Sequence, residues 1–152
     1  MMSSNDRLGF YEEVFQHGRS SGWEKSPGKK VILQALKAYA GKQRTPADAR
    51  LLEVGCGSGD LLARISEEIP GRFRLYGVDF SDAAIALAKS RYGGMEFYVE
   101  DGCGTHFDDC TFDILVAYGV YEHFQDPLAG LREAARVLAK NGYFFCMMPT
   151  LG

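Results

Sequence analysis

The stretch with the clearest chemical potential is a run of three glycines at alternate positions, Gly55, Gly57 and Gly59. A short apolar run at 51–54 precedes it and predicts a buried strand, and apolar residues at helical spacing over 61–65 follow it. Glycine has no Cβ, so such a turn can adopt positive φ and let a ligand lie against the backbone and the free N–H groups at a helix start. The pattern therefore predicts a strand, a ligand-holding turn and a helix.

The same stretch lacks the spacing of two common phosphate-binding loops. The dinucleotide fingerprint needs a glycine where this chain has Asp60, and no Gly-Lys-Ser/Thr sequence of a P-loop follows. Glu53 precedes the first glycine by two residues, where a carboxylate would repel a pyrophosphate and suit a cationic ligand. A positively charged nucleoside is thus favoured over the cofactor of a hydride-transferring oxidoreductase. An ordinary strand-to-helix loop is the alternative.

Two segments carry a resemblance to a known family. Glu53-Val-Gly-Cys-Gly-Ser-Gly59 resembles motif I of the class I, Rossmann-like S-adenosylmethionine-dependent methyltransferases. Glu122-His123, shortly before Asp126-Pro127, resembles the segment after strand four in many small-molecule methyltransferases, including those of quinone biosynthesis. The resemblance implies S-adenosylmethionine as cofactor, S-adenosylhomocysteine as product and a small molecule as methyl acceptor.

Strand and helix patterns alternate along the chain, which predicts an α/β fold with a doubly wound, mostly parallel sheet and helices on both faces. Strands are predicted over 51–54, 72–78, 95–99, 112–117 and 143–148, and helices over 10–17, 27–40, 61–69, 83–92 and 127–140. In the last helix Leu128, Leu131, Ala135 and Leu138 are predicted to form the apolar face. The resemblance implies strand order 3-2-1-4-5. It also implies a lid segment over 1–26 and a cofactor-binding core over 27–152.

Parallel strands bring their carboxyl ends to one edge of the sheet, where ligands of such folds bind. Asp79 ends the second strand, where a carboxylate could accept from both ribose hydroxyls or could cap a helix with Ser81. By resemblance, Asp101 receives the adenine amino group; a solvated loop acid is the alternative. The residues predicted to contact the cofactor are Glu53, Gly55, Cys56, Gly57, Gly59, Asp79, Phe80, Asp101, Gly102, Ala117, Tyr118 and Gly119, with Tyr11 and the further candidate Trp23 from the N-terminal segment.

Methyl transfer from a sulfonium needs mainly the placement of the acceptor atom in line with the methyl group. His123 is the candidate general base for a hydroxyl acceptor, because imidazole titrates near neutrality; a purely structural role in the pocket wall is the alternative. Tyr118 and Tyr121 are predicted to shape the acceptor pocket. Some relatives carry a second carboxylate at the position of Gly119 here, so no catalytic metal is predicted.

Length, composition and charge indicate which classes of binding partner are expected. The chain has 152 residues and a net charge of −3 without a basic stripe, so one domain and no nucleic-acid partner are expected. No apolar membrane span or secretory signal is seen, which predicts a cytoplasmic protein without a membrane partner. The oligomeric state is left open.

The resembled fold usually continues beyond strand five, so the chain is expected to be a truncated or shortened form. A noncatalytic S-adenosylmethionine-binding module that supports a partner chain is the alternative function. An aminopropyl transferase, which uses a decarboxylated donor, is disfavoured because the segment 118–120 lacks the acids typical of those enzymes.

Overall fold

The computed structural model describes residues 4–17, 26–42 and 46–148. Its strands form one sheet of five in the order β3-β2-β1-β4-β5, and every neighbouring pair is parallel. The strands are β1 (Ala49–Val54), β2 (Phe73–Asp79), β3 (Glu96–Val99), β4 (Phe112–Tyr118) and β5 (Leu138–Met147). The predicted fold class and strand order are confirmed.

Within the described ranges, five helices surround the sheet. They are α1 (Ser4–Gln16), α2 (Pro27–Ala40), α3 (Asp60–Glu68), α4 (Asp82–Arg91) and α5 (Pro127–Val137), and a 3₁₀ turn spans Tyr121–His123. Side chains alternate along β1, so Leu51 joins an apolar cluster with α2, α3 and α4, whereas Leu52 joins a second cluster with α5. The sheet is therefore covered on both faces, and both layers of the core meet at the central strand.

Three helices are preceded by a residue type that commonly caps helices, namely Ser26, Ser81 and Asp126. Ser81 Oγ accepts from the N–H of Ala84 at 3.0 Å, and Asp126 Oδ1 accepts from the N–H groups of Leu128 and Ala129. Both residues are thus N-caps of the expected kind. Ser26 precedes α2 but makes no capping hydrogen bond, because its hydroxyl contacts the Tyr118 hydroxyl instead.

The predicted apolar face of α5 is wrong. Gly130, Glu133, Ala134 and Val137 face the core, whereas Leu128 and Leu131 are 60% and 38% exposed and Ala135 is also exposed. At Gly130 an added Cβ would lie 2.5 Å from the Phe124 ring, so the helix packs through its small residues and the leucines turn outward.

Several element boundaries also differ from the predictions. α5 ends at Val137, and Leu138 begins β5 five residues earlier than expected, because Leu138 pairs in register with Phe112 of β4. α1 begins at Ser4 rather than at residue 10.

Gly77 on β2 offers a test of the packing between the sheet and the glycine turn. A Cβ there would lie 2.7 Å from Cys56 Sγ and 2.9 Å from the Phe97 ring. Gly77→Ala is therefore expected to lower the free energy of unfolding by about 1–3 kcal/mol, measured by urea denaturation. The control is Gly93→Ala, where an added Cβ meets nothing within 4 Å and the change should stay within about 0.5 kcal/mol. Equal effects of the two substitutions would contradict this packing.

Candidate active site

A cleft of about 540 Å³ opens at the carboxyl ends of β1, β2 and β4. Its walls come from the turn after β1, the segments that follow β2 and β3, and the segment 118–126 after β4. Phe15 of α1 and Lys29 of α2 complete the lining. Both the position at the strand ends and the volume are typical of a small-molecule site in an open α/β sheet.

The glycine turn forms one wall of the cleft. Gly55, Gly57 and Gly59 have φ values of 70°, 52° and 80°, in the left-handed region that favours glycine. The N–H groups of Gly55 and Cys56 both donate to the Val78 carbonyl, at 2.8 and 3.0 Å, which fixes the turn to the neighbouring strand. An added Cβ at Gly55 would collide with the Val120 side chain, so close packing as well as φ requires glycine there.

Asp79 holds the turn in place. Its Oδ2 accepts from the N–H of Gly57 at 2.8 Å, and its Oδ1 accepts from the N–H of Ser81 at 3.0 Å. Burial raises the pKa of the Asp79 carboxyl, although these N–H groups act in the opposite direction. Two carboxylate oxygens offer about four acceptor positions in all, so capacity remains for the hydroxyls of a ligand in the cleft.

Among the carboxyl groups of the site, that of Glu53 is the one whose burial is least compensated by hydrogen bonds. It lies on β1 with only 4% of its surface exposed, and its Oε2 has no hydrogen-bond partner among the described residues. Burial raises the pKa of the Glu53 carboxyl to about 8, against the opposing effect of the nearby Lys29 ammonium. A buried carboxylate without a donor is unfavourable, so a ligand that brings a donor would be stabilised here.

The cleft is strongly acidic. Among the described residues, its lining includes Glu53, Asp60, Asp79, Glu100, Asp101 and Asp126. Lys29 is the single lysine or arginine in that lining. Such a charge distribution favours a ligand that carries positive charge.

Most of the predicted cofactor contacts converge on this cleft. Its lining contains Glu53, Gly55, Cys56, Gly57, Asp79, Phe80, Asp101, Gly102, Tyr118 and Gly119, together with the candidate base His123. His123 is exposed and ends the 3₁₀ turn. Asp101 is also exposed and accepts from the N–H of Cys103 at 2.9 Å. The fold brings the predicted site residues together in one cleft, and the role of each residue stays a prediction.

Three predicted site residues do not line the cleft. Tyr121 is buried in the second apolar cluster, where its ring packs at 5.0 Å from Phe124 and 5.8 Å from Phe144. Ala117 is buried in the same cluster because its side chain lies on that face of β4. Gly59 lies under the Phe97 ring, so its conformation serves the start of α3. The Tyr11 side chain and Trp23 lie outside the described residues.

The cleft lining also contains residues outside the predicted set, and Phe15 and Lys29 are two of them. Phe15 of α1 lies over the turn, since an added Cβ at Gly57 would lie 3.2 Å from its ring. Lys29 is buried on α2, and a signal for it exists, because it shares helical spacing with the buried residues Ile32, Leu33 and Leu36. A lysine on the apolar face of a helix is unusual and marks a special environment.

Two features are absent from the described residues, a metal-binding cluster and a membrane-spanning helix. Within those ranges, no group of three or more His, Cys, Asp or Glu side chains is arranged to hold a metal ion. None of the helices in those ranges has the length and hydrophobicity needed to cross a membrane.

The raised pKa of Glu53 predicts a pH-dependent stability. Because its pKa rises from 4.5 to about 8 on folding, the folded protein keeps a proton that the unfolded chain releases between these values. The free energy of unfolding should therefore fall as pH rises through this window. Glu53→Gln should flatten that slope in urea denaturation of the ligand-free protein, whereas Glu67→Gln, on the exposed side of α3, should not. Equal slopes in wild type and Glu53→Gln would contradict the burial of a protonated carboxyl.

Comparison with known proteins agrees with this geometry. The sequence profile of the methyltransferase domain family matches residues 52–146, more than half of the chain. Demethylmenaquinone methyltransferase of Chlorobaculum tepidum is 28% identical over 142 residues, which cover 93% of this chain and 54% of that protein. The chloroplastic 2-phytyl-1,4-beta-naphthoquinone methyltransferase of Arabidopsis thaliana is 34% identical over 97 residues, 58% of this chain and 37% of that protein. The chain thus spans about half, or less, of the length of these relatives.

A solved structure supports the assignment at the level of the fold. The plantazolicin methyltransferase BpumL, crystallised with a substrate analogue and S-adenosylhomocysteine, matches with a TM-score of 0.69 at 20% identity, over 92% of this chain and 58% of that one. Sequence profile, relatives and fold agree, and the chain belongs to the methyltransferase domain family, with the class I fold of its S-adenosylmethionine-dependent members.

Proposed function

We propose that this chain moves the methyl group of S-adenosylmethionine to an oxygen, nitrogen or carbon atom of a small molecule by in-line displacement. The observation that supports this most directly is the continuity of one cleft from the glycine turn to His123. The residues proposed to bind the donor and those proposed to bind the acceptor therefore line one cleft. That arrangement suits a direct transfer, whose main requirement is the relative placement of the two reactants.

The residues at the glycine turn fit the donor. Asp79 would hold the ribose hydroxyls, the region of Phe80 and Asp101 would hold the adenine, and Glu53 would accept from the ammonium group of the amino-acid end. The buried Oε2 of Glu53, which has no partner in the described part of the chain, is the feature that most needs such a donor. When bound, the sulfonium supplies an activated methyl group, and the protein has only to orient it and exclude water.

The segment after β4 would hold the acceptor. Tyr118, His123, Phe124 and Gln125 give this part of the cleft aromatic and polar groups side by side. Two relatives are named for quinone substrates, so an aromatic ring compound is the first acceptor class to test. If the acceptor is a hydroxyl, His123 would remove its proton as the new bond to carbon forms.

Calorimetric titration tests the donor half of the proposal. Wild type should bind S-adenosylmethionine and S-adenosylhomocysteine but not NADH. Asp79→Asn should weaken both nucleosides roughly ten- to hundredfold, since it removes a charged acceptor and turns an amide group toward a backbone N–H. The control is Asp48→Asn, an exposed acid near Arg74 with φ of 58°, which asparagine tolerates. A folded wild type that ignores both nucleosides would contradict the proposal.

Transfer of a radiolabelled methyl group to demethylmenaquinone, supplied in its reduced hydroquinone form so that the acceptor is nucleophilic, tests the acceptor half. If the acceptor is deprotonated by His123, His123→Gln should lower kcat on the order of 10²–10⁴-fold with little change in the affinity for S-adenosylhomocysteine. His17→Gln is the control, because His17 is exposed and bonds the Glu13 carbonyl within α1. A loss below about tenfold would assign His123 to the pocket wall. Donor binding without transfer to any acceptor would favour the noncatalytic module.

A further inference from the structure

Lys29 is the most unusual charged residue of the described chain. Only 8% of the surface of Lys29 is exposed, although the residue lies in the first turn of α2, next to the exposed Lys30. No hydrogen bond or ion pair joins its ammonium group to another described residue, and the centre of the Tyr118 ring lies 6.0 Å from it. Buried lysines are nearly always paired, so this ammonium group requires a partner that the described residues do not supply.

The same cleft contains the Glu53 carboxyl group, whose Oε2 also lacks a partner among the described residues. Glu53 and Lys29 line one cleft and affect each other electrostatically, yet no ion pair joins them. The Glu53 carboxyl still has a buried oxygen without a donor among the described residues. An ammonium group and a carboxyl group that line one space without pairing match a ligand that carries a carboxylate and an ammonium group on the same carbon.

The start of α2 adds to the attraction for an anion beside Lys29. The helix has 14 residues and no acidic residue in its first turn, so its N-terminal dipole is not offset there. The backbone at Gly28 is held tightly against Tyr118 and Met147, because a Cβ there would collide with both. Lys29 is thus carried on a rigid element, and its position relative to Glu53 is set by packing.

We propose that Lys29 binds the α-carboxylate of the cofactor's amino-acid end while Glu53 binds its α-ammonium group. The cleft would then select nucleosides that carry an intact zwitterion. This inference rests on the proposed function, since it takes S-adenosylmethionine as the donor. It adds a specificity-determining residue, and it gives a structural reason why a decarboxylated donor is disfavoured.

A cycle of protein and ligand changes tests the proposal by calorimetry. Wild type, Lys29→Met and the control Lys30→Met are each titrated with S-adenosylhomocysteine, its decarboxylated analogue and 5′-methylthioadenosine, which lacks the amino-acid end. Lys29→Met should lower the affinity for S-adenosylhomocysteine roughly ten- to hundredfold and change the affinities for the other two ligands by less than about twofold. Lys30→Met should change none of them. Lys29→Arg, which keeps the positive charge, should restore most of the affinity for S-adenosylhomocysteine.

Several results would overturn the proposal. Equal weakening of all three ligands would make Lys29 a structural partner of Glu53, and an unchanged affinity for S-adenosylhomocysteine would exclude a contact with the carboxylate. If Lys29→Met does not fold, the comparison within wild type decides: similar affinities for S-adenosylhomocysteine and its decarboxylated analogue would overturn the proposal. A folded wild type that binds none of the nucleosides would instead remove the proposed function itself.

Discussion

The pair of hydrogen bonds from backbone N–H groups to the Asp79 carboxylate is the constraint on which the site depends. One bond reaches Gly57 in the turn after β1, and the other reaches Ser81 at the start of α4. Because β1 and β2 run parallel in register, with Val54 opposite Val78, one side chain at the end of β2 can hold the turn of its neighbour. The positive φ values of the glycines allow the chain to fold back far enough for this bond. The hydrogen bond between Gly57 and Asp79 therefore fixes the shape of the cleft at the ends of β1 and β2.

Burying the carboxyl groups of the site costs free energy, and the burial of apolar side chains around the site offsets that cost. Burial raises the pKa of both Glu53 and Asp79, so the ligand-free cleft contains carboxyl groups that resist ionisation. The strand beneath them is covered on both faces, by the clusters that contain Leu51 and Leu52. Apolar burial of this extent can hold poorly solvated groups in place. A cationic ligand would remove the penalty, which links the acidity of the cleft to the chemistry of a sulfonium donor.

The walls of the cleft are held by residues far from the glycine turn. Glu133 of α5 accepts from the N–H and the hydroxyl of Thr105 and from Arg136, which lowers the pKa of Glu133 to about 2. These bonds fix the segment after β3 that carries Asp101 and Gly102. On the other side, α2 packs closely over Tyr118 at Gly28. Rigid walls of this kind reduce the entropy lost when a ligand is ordered between them.

The sequence by itself determined the strand, turn and helix around Gly55, the parallel sheet and the edge at which Asp79 and Asp101 meet, because these depend on local periodicity and backbone geometry. The family resemblance added the strand order and the identity of the cofactor. Tertiary structure alone decided which side chains face the cleft. Tyr121 follows β4 as expected, yet its ring packs into the core, and the leucines of α5 turn outward because Gly130 permits a closer approach. Helical spacing places Lys29 on the apolar face of α2, but only the docking of α2 on the sheet brings it to the cleft. The rotation of a helix or a 3₁₀ turn about its axis is set by long-range packing, and a local sequence pattern does not encode it.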